Sequence, residues 1–397
     1  MGNLMSGIST LATRAGGKNK RADDDFSDRL NYKFTTFMLL VFCMLVTGRQ
    51  HVGHPINCWC PARFKDPQID YANSLCWTKN TYYVPIEGDI PKSDSGRTRL
   101  ELQYYQWVPI VLLVQAVLFY FPCVIWRLLH DKSGVNITTL CTTLEDKGNL
   151  DPDTRDKTIR YIVRHLHRCF DMIRIHSSHG CQRHTQKLVK KCPLICGKRY
   201  GNYILSLYVV CKMLYIGNAI GQVYILNAFL GNGTDYSFYG VGVLVDMLKS
   251  RDWTTSDRFP RVTLCDFKIR EFAHNIHRYT LQCVLPINLF NEKIYIILWF
   301  WFVLVAIVNS YSLLQWLFYM AGNNKVDYIK RHLKNMGMFD KESDKKYLNT
   351  FVEEYMQHDG VFVMRLMTKN ACDISVSEIV CGLFTIFKQS RTNGSIM

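Results

Sequence analysis

Four long apolar segments alternate with polar stretches along the chain. Residues 102–126 and 294–324 carry no charged side chain, residues 200–230 carry only Lys212, and residues 34–48 form a shorter apolar run. A helix of 25 residues is about 37 Å long, which is enough to cross a hydrocarbon core of about 30 Å. The pattern therefore predicts an α-helical membrane protein with a four-transmembrane-helix bundle. We expect Lys212 to snorkel toward the membrane interface.

The predicted helices divide the chain into nine segments. Both termini lie on one side of the membrane, because the number of crossings is even. Residues 1–33, 131–200 and 321–397 hold 31 Lys and Arg, against 15 in the two remaining loops. Since cytosolic loops are enriched in these residues, both termini are predicted to be cytoplasmic. The segments are a cytoplasmic N-terminal segment at 1–33, helices at 34–48, 106–130, 203–230 and 294–320, extracellular loops at 49–105 and 231–293, a cytoplasmic loop at 131–202 and a cytoplasmic C-terminal domain at 321–397.

The composition agrees with a membrane protein that has large polar loops. The chain is 48% hydrophobic and 13% aromatic, with a formal net charge of +15. We interpret the charge mainly as topology, with contact to anionic membrane lipid as a second effect. Motifs for reading nucleic acids and the common catalytic signatures are absent from the sequence, so we expect no nucleic-acid partner, no cofactor and no enzyme. Residues 1–20 lack the apolar stretch of a cleavable signal peptide, so the first helix is expected to direct insertion.

Four cysteines form two pairs of equal spacing in the predicted extracellular loops. Cys58 and Cys76 are 18 residues apart, and so are Cys265 and Cys283. Disulfides persist in oxidising compartments, so these pairs support the predicted orientation. Two loops rising from one bundle favour bonds between the loops, but the spacing leaves the three possible connectivities open. A fifth cysteine, Cys60, has no counterpart in the second loop.

A glycosylation sequon follows the third predicted helix at Asn232, on the predicted outer side. The signal is short, since Asn136 and Asn393 also begin sequons in segments predicted to be cytoplasmic. Asn232 is the glycosylation candidate because it alone faces outward in this topology.

The pentapeptide Tyr104-Tyr105-Gln106-Trp107-Val108 resembles the motif that marks innexins, the gap-junction proteins of invertebrates. The resemblance covers about residues 23–319. The cytoplasmic loop and the C-terminal tail are similar only in length and character. Other stretches look like the first extracellular loop of innexins, at 55–59, 61–62, 76–77 and 82–85. Those at 259–263, 265–267, 278–280, 283–288, 290–293 and 298–301 look like the second loop and the fourth helix.

The resemblance implies a gap-junction channel subunit in the plasma membrane. Subunits would form a homo- or hetero-oligomeric ring of eight, which docks with a ring in the opposing membrane and passes ions and small metabolites. The implied fold adds a disulfide-bonded α/β extracellular region and a helical cytoplasmic dome to the four-helix bundle. The implied disulfides are Cys58 with Cys283 and Cys76 with Cys265, which leaves Cys60 free.

The resemblance also implies that the N-terminal segment lines the pore mouth. The pore-lining candidates are Gly2, Asn3, Met5 and Ser6. A competing interpretation is myristoylation of Gly2, because the first six residues fit that short pattern. The acidic run at residues 23–25 is expected to begin a helix, where carboxylates suit the positive helix N-terminus.

Local patterns predict a strand in the second extracellular loop and two helices in the dome. Alternation from Arg261 to Ile269 predicts a strand with a phase slip near Cys265, which is typical of a β-bulge. Apolar residues recur at helical spacing between residues 156 and 174. A further helix is predicted from Ser343 as its cap to Gly360 at its end.

Histidines concentrate in the cytoplasmic loop. His176, His179 and His184 lie close to Cys181, but their spacing fits no standard zinc finger, so we expect no metal. Surface histidines without a special role are one interpretation. The alternative hypothesis is that acid charges these three residues and closes the channel.

Two other functions remain open at this point. An undocked hemichannel would release metabolites to the outside, and a tetraspanin-like adhesion or scaffold protein would share the four helices and the disulfides. The chain contains no adjacent cysteine pair, which disfavours the tetraspanin interpretation.

Overall fold

The computed structural model describes most of the chain and divides it into two compact units. Unit 1 comprises Met1–Arg29, Pro122–Leu214 and Asn309–Met397, and unit 2 comprises Leu30–Phe121 and Tyr215–Val308. The described residues are 23–85, 88–178, 201–229, 239–249, 259–271, 274–321, 324–338 and 347–392.

The secondary-structure elements are numbered in chain order. They are α1 Phe26–His51, β1 Asn57–Trp59, α2 Asp66–Lys79, β2 Thr81–Tyr82, α3 Asp94–Thr98, β3 Glu101–Leu102, α4 Val108–His130, α5 Ile137–Leu144, α6 Pro152–Ser178, α7 Tyr203–Phe229, α8 Tyr239–Leu248, β4 Val262–Glu271, β5 Asn275–Val284, α9 Pro286–Met320, α10 Asn324–Asn335, α11 Gln357–Asn370 and α12 Asp373–Thr392, with a π-helical turn at Phe351–Met356 before α11.

Four helices in the described part of the chain are long and apolar enough to cross a membrane. They are α1, α4 with the short 3₁₀ turn that follows it, α7 and α9. This result confirms the predicted class of a four-helix membrane protein. The apolar run predicted at 34–48 lies inside the longer helix α1, which begins at Phe26 and contains a π-helical segment at Leu30–Thr35. Each of the four helices contributes residues to both units.

A five-stranded antiparallel sheet forms in unit 2, with the strand order β1-β5-β4-β2-β3. Strands β4 and β5 pair without interruption from Val262 opposite Val284 to Glu271 opposite Asn275. The predicted phase slip near Cys265 is therefore wrong. Thr263 lies on the buried face together with Cys265, so the apolar residues beside it occupy the other face of a regular strand.

Unit 1 is built around the apolar faces of its helices. Helix α6 packs against α12 and α5, and α12 also packs against α10 and α11. Four of the residues of α6 that recur at helical spacing are buried as predicted, and Ile159 is half-buried against the same core. The four buried residues are Ile162, Val163, Leu166 and Phe170.

Gly360 does not end a helix, which corrects the sequence prediction. Helix α11 continues through it to Asn370, and the chain breaks earlier, at Gln357 with a φ of 54°. A Cβ at position 360 would lie 3.3 Å from the Phe170 ring. The glycine thus permits close packing against α6 rather than a left-handed helix terminus. Ser343 lies outside the described residues.

Candidate functional site

Two disulfides connect the first loop of unit 2 to its hairpin. Cys58 on β1 lies directly opposite Cys283 on β5 and is bonded to it, while Cys76 on α2 is bonded to Cys265 on β4. This is the pairing that the family resemblance implies. The sulfurs of Cys58, Cys76 and Cys283 lie within 4.8 Å of one another, so the two bridges are neighbours. Each bridge closes a long chain loop. A disulfide of this kind typically contributes about 2–4 kcal/mol to stability.

Cys60 is a free, half-buried thiol beside the cross-linked strands. Burial raises the pKa of the Cys60 thiol above its ordinary value. Because the thiolate is the reactive form, this environment makes Cys60 a poor nucleophile for exchange with the neighbouring disulfides.

Asp266 gathers polar groups on the other face of the sheet. Its Oδ2 accepts hydrogen bonds from Arg97 on α3 and from Arg278 on β5, the latter at 2.9 Å, and Oδ1 accepts one from the Tyr82 hydroxyl at 3.1 Å. Burial alone would raise the pKa of Asp266, but bonds from Thr280 and both arginines hold it below its ordinary value. Burial and the Asp266 charge raise the pKa of Tyr82 to about 12. The cluster therefore fixes α3, β2 and β5 around β4.

The same region exposes a large aromatic side chain. Trp59, the residue after Cys58, is 81% exposed at the end of β1. Tyr279 lies on the neighbouring strand β5. The Arg63 guanidinium is 5.4 Å from the centroid of the Tyr279 ring, so that ring is already covered. Tryptophan is enriched among the residues that carry binding energy at protein interfaces, so Trp59 is a candidate contact residue.

The pentapeptide at 104–108 joins three elements of unit 2. Tyr105 is fully buried, with its ring centroid 5.0 Å from that of Trp77 on α2. The Gln106 side chain donates to the Trp77 carbonyl, and the Gln50 side chain of α1 donates to the Tyr105 carbonyl at 2.9 Å. These contacts fix the start of α4 relative to α1 and α2.

Lys212 of α7 is fully buried in an ionic network of unit 1. Its Nζ lies 2.7 Å from Asp25 and 2.8 Å from Asp28, and it also donates to the Ser312 hydroxyl at 3.1 Å. The expectation that Lys212 snorkels to the interface is wrong. Two carboxylates at contact distance stabilise the ammonium group inside the protein, so it has no need to reach water.

The carboxylates of the acidic run have further partners on three helices, α4, α7 and α9. Asp25 accepts from the Trp316 indole of α9 at 2.8 Å, and Asp28 accepts from the Tyr208 hydroxyl of α7 at 2.9 Å. Asp23 accepts from the Trp126 indole of α4 at 3.1 Å. The acidic run also starts α1 as predicted, since the Asp28 backbone N–H donates to the Asp25 side chain.

Asp359 caps the first turn of α7 from the C-terminal part of unit 1. It is buried, its side chain accepts from the backbone N–H of Leu205 at 3.0 Å, and its own N–H donates to the Gly201 carbonyl at 2.9 Å. Burial raises the pKa of Asp359 to about 6, although hydrogen bonds from the start of α7 oppose the shift. Sequence reasoning missed this residue, whose one signal is an acid shortly before the apolar run at residues 361–364.

Several predicted site residues have no structural description. The pore-lining candidates Gly2, Asn3, Met5 and Ser6 lie outside the described residues. The same holds for the glycosylation candidate Asn232 and for His179 and His184, while His176 lies near the end of α6.

Comparison with known proteins gives matches over nearly the whole chain. The family model described as Innexin matches residues 24–387. Innexin unc-9 of Caenorhabditis elegans is 37% identical over 371 residues, which cover 93% of each chain. Innexin-19 of the same organism is 34% identical over 392 residues, covering 93% of this chain and 84% of the relative. Innexin-3 of Caenorhabditis elegans is 36% identical over 364 residues, which cover 91% of this chain and 83% of the relative.

Proposed function

The chain belongs to the innexin family of gap-junction channel proteins, and from that premise we propose that eight copies form a ring that docks with a ring in the opposing membrane. The docked pore passes ions and small metabolites between cells. A ring of copies around one axis is the simplest way to build a wide pore from protomers with four spanning helices. The observation that carries the proposal is the cross-linked sheet of unit 2, because docking requires a rigid surface.

In this proposal both termini are cytoplasmic, and the loops that hold the disulfides face outward. The two disulfides support an exterior position of these loops, because disulfides persist in oxidising compartments. The excess of Lys and Arg in the other segments supports the orientation of the helices. The N-terminal segment with Gly2, Asn3, Met5 and Ser6 lines the pore mouth. The network of Lys212 with Asp25 fixes the helix into which that segment leads.

Trp59 is the proposed centre of the docking surface. It is the most exposed large aromatic side chain of the described sheet, and it follows a disulfide-bonded cysteine. Buried tryptophans often carry a large share of the binding energy at protein interfaces. A rigid position lowers the entropy loss on docking. Tyr71 of α2, which is 56% exposed, offers a matched aromatic control in the same unit.

Paired cells that express only this chain test the proposal. Dye is injected into one cell, transfer to its neighbour is measured, and dye uptake by single cells is measured separately. We expect transfer with the wild-type chain and with Tyr71→Ala, but not with Trp59→Ala, which should still allow uptake by single cells. Normal transfer by Trp59→Ala would refute the docking surface while leaving the channel intact.

The same measurements separate the two alternatives. Uptake by single cells without transfer in any pair indicates an undocked hemichannel. Cell aggregation with neither transfer nor uptake, at normal surface abundance, indicates an adhesion protein and contradicts the proposed channel.

A further inference from the structure

Two basic residues of α11 lie beside the last turns of the spanning helix α9. Arg365 and Lys369 are one helical turn apart and so share a face of α11. The Lys369 Nζ lies 4.5 Å from the Trp316 ring centroid, and the Arg365 guanidinium carbon lies 4.7 Å from that of Tyr319. Both rings belong to α9, so the two cations lie at the level where this helix ends.

The Arg365 guanidinium is held in one orientation with unused donors. It lies between the rings of Tyr319 and Tyr328, at 4.1 Å from the latter, and the Tyr328 hydroxyl is bonded to Thr368 at 2.7 Å. One Nη donates to the Asn324 carbonyl at 2.9 Å, while the buried Nε has no hydrogen-bond partner. Stacking therefore positions the guanidinium without saturating it.

Neither cation has a carboxylate partner among the described residues. Lys369 makes no hydrogen bond there, and its ammonium group lies over the faces of Trp316 and Tyr319. Burial lowers the pKa of both Arg365 and Lys369. A nearby anion would offset this loss of hydration.

The surrounding charges leave room for such an anion. Asp25 and Asp28 favour the charged form of Lys369, whereas Lys212 and Arg365 oppose it. Both carboxylates are in direct contact with Lys212. Counted together with Lys369, these groups carry three positive and two negative charges. One net positive charge therefore remains on the side of α11.

We propose that Arg365 and Lys369 bind the phosphate group of an anionic phospholipid headgroup. Tyr319 lies one residue before the end of α9, and tyrosine near the end of a spanning helix is typical of headgroup depth. A guanidinium presents a planar fork that suits phosphate oxygens, and an ammonium group adds a point charge. The site depends on α9 spanning the membrane and not on docking or on a pore.

Lipid retention by the full-length protein tests this site. The chain is reconstituted in phosphatidylcholine nanodiscs with and without phosphatidic acid, and bound lipid is measured by native mass spectrometry. We expect Arg365→Gln and Lys369→Gln each to reduce the preference for phosphatidic acid by about tenfold, as for the loss of one charge-assisted hydrogen bond. Arg331→Gln removes an exposed cation of the neighbouring helix α10 and should leave the preference unchanged.

Three outcomes decide the proposal. Equal preference for phosphatidic acid in the wild type and in Lys369→Gln overturns the site. Displacement of the lipid by glycerol 3-phosphate would assign the site to a soluble phosphate and overturn the lipid source. A preference that is lost in both variants and kept in Arg331→Gln supports the site, even if paired cells show no dye transfer.

Discussion

Replacing Lys212 with Met removes the charge at the centre of the unit 1 network while keeping a side chain of similar length. Asp25 and Asp28, both buried, would then lose the cation that lies 2.7 Å and 2.8 Å from them. Breaking a buried ion pair by removing one partner typically destabilises a protein by about 3–5 kcal/mol, because an uncompensated charge stays buried. We expect Lys212→Met to fall in that range.

A second variant separates the lost charge from lost packing. The triple variant combines Asp25→Asn, Asp28→Asn and Lys212→Met. It removes all three charges and keeps oxygen acceptors for the Trp316 indole and the Tyr208 hydroxyl. Neutral replacements of a complete buried ionic group are often tolerated, so this triple variant should recover much of the stability. The control is Lys334→Met, which removes an exposed cation from α10.

The assay is the midpoint temperature of aggregation of the full-length protein in detergent, followed by size-exclusion chromatography. A loss of about 3–5 kcal/mol corresponds to a decrease of the order of 10 °C. A midpoint for Lys212→Met equal to that of Lys334→Met would refute the reasoning, since the carboxylates would then not depend on Lys212.

Three further predictions use the same preparation. Burial raises the pKa of Asp359 from 3.8 to about 6. The buried ionised form therefore destabilises unit 1 by about 3 kcal/mol near neutral pH, and this destabilisation is lost as pH falls through about 6. Asp359→Asn should therefore show a smaller rise of the midpoint between about pH 7.5 and about pH 5, and an unchanged pH profile would contradict this. Gly201→Ala should lower the midpoint by more than Gly134→Ala does, because both glycines have positive φ but only at position 201 would a Cβ clash with a side chain, that of Gln357; equal midpoints would show that this contact relaxes freely. Replacing Cys58 and Cys283 together with Ser should destabilise unit 2 by about 2–5 kcal/mol and speed proteolysis of its loops, and unchanged proteolysis would argue against the Cys58 bridge.

The sequence predicts those parts of this fold that depend on local pattern. Long runs without charge identify the spanning helices, because a charged side chain in hydrocarbon is unfavourable. The spacing in α6 identifies its buried face, and the acidic run identifies the start of α1. The order of motifs around the 104–108 pentapeptide identifies the family, and that resemblance implies the disulfide pairing which spacing alone leaves open.

The errors and omissions concern contacts between residues far apart in sequence. Lys212 meets Asp25 across 187 positions, so nothing near Lys212 indicates that its charge is paired. Asp359 caps a helix that begins more than 150 positions earlier, and Gly360 is small because Phe170 of α6 packs against it. In β4, the apolar residues on both faces suggest a phase slip, but the ladder with β5 keeps the strand regular.

The central claim is that the chain crosses the membrane four times, with both termini in the cytosol and the disulfide-bonded loops outside. The most direct measurement is antibody access to an epitope tag after Met397 and, in a second version, to a tag within the 231–293 loop. We predict that the loop tag is stained on intact cells, whereas the C-terminal tag is stained only after permeabilisation. Staining of the C-terminal tag on intact cells would contradict the account of the pore, the docking surface and the cytoplasmic domain together.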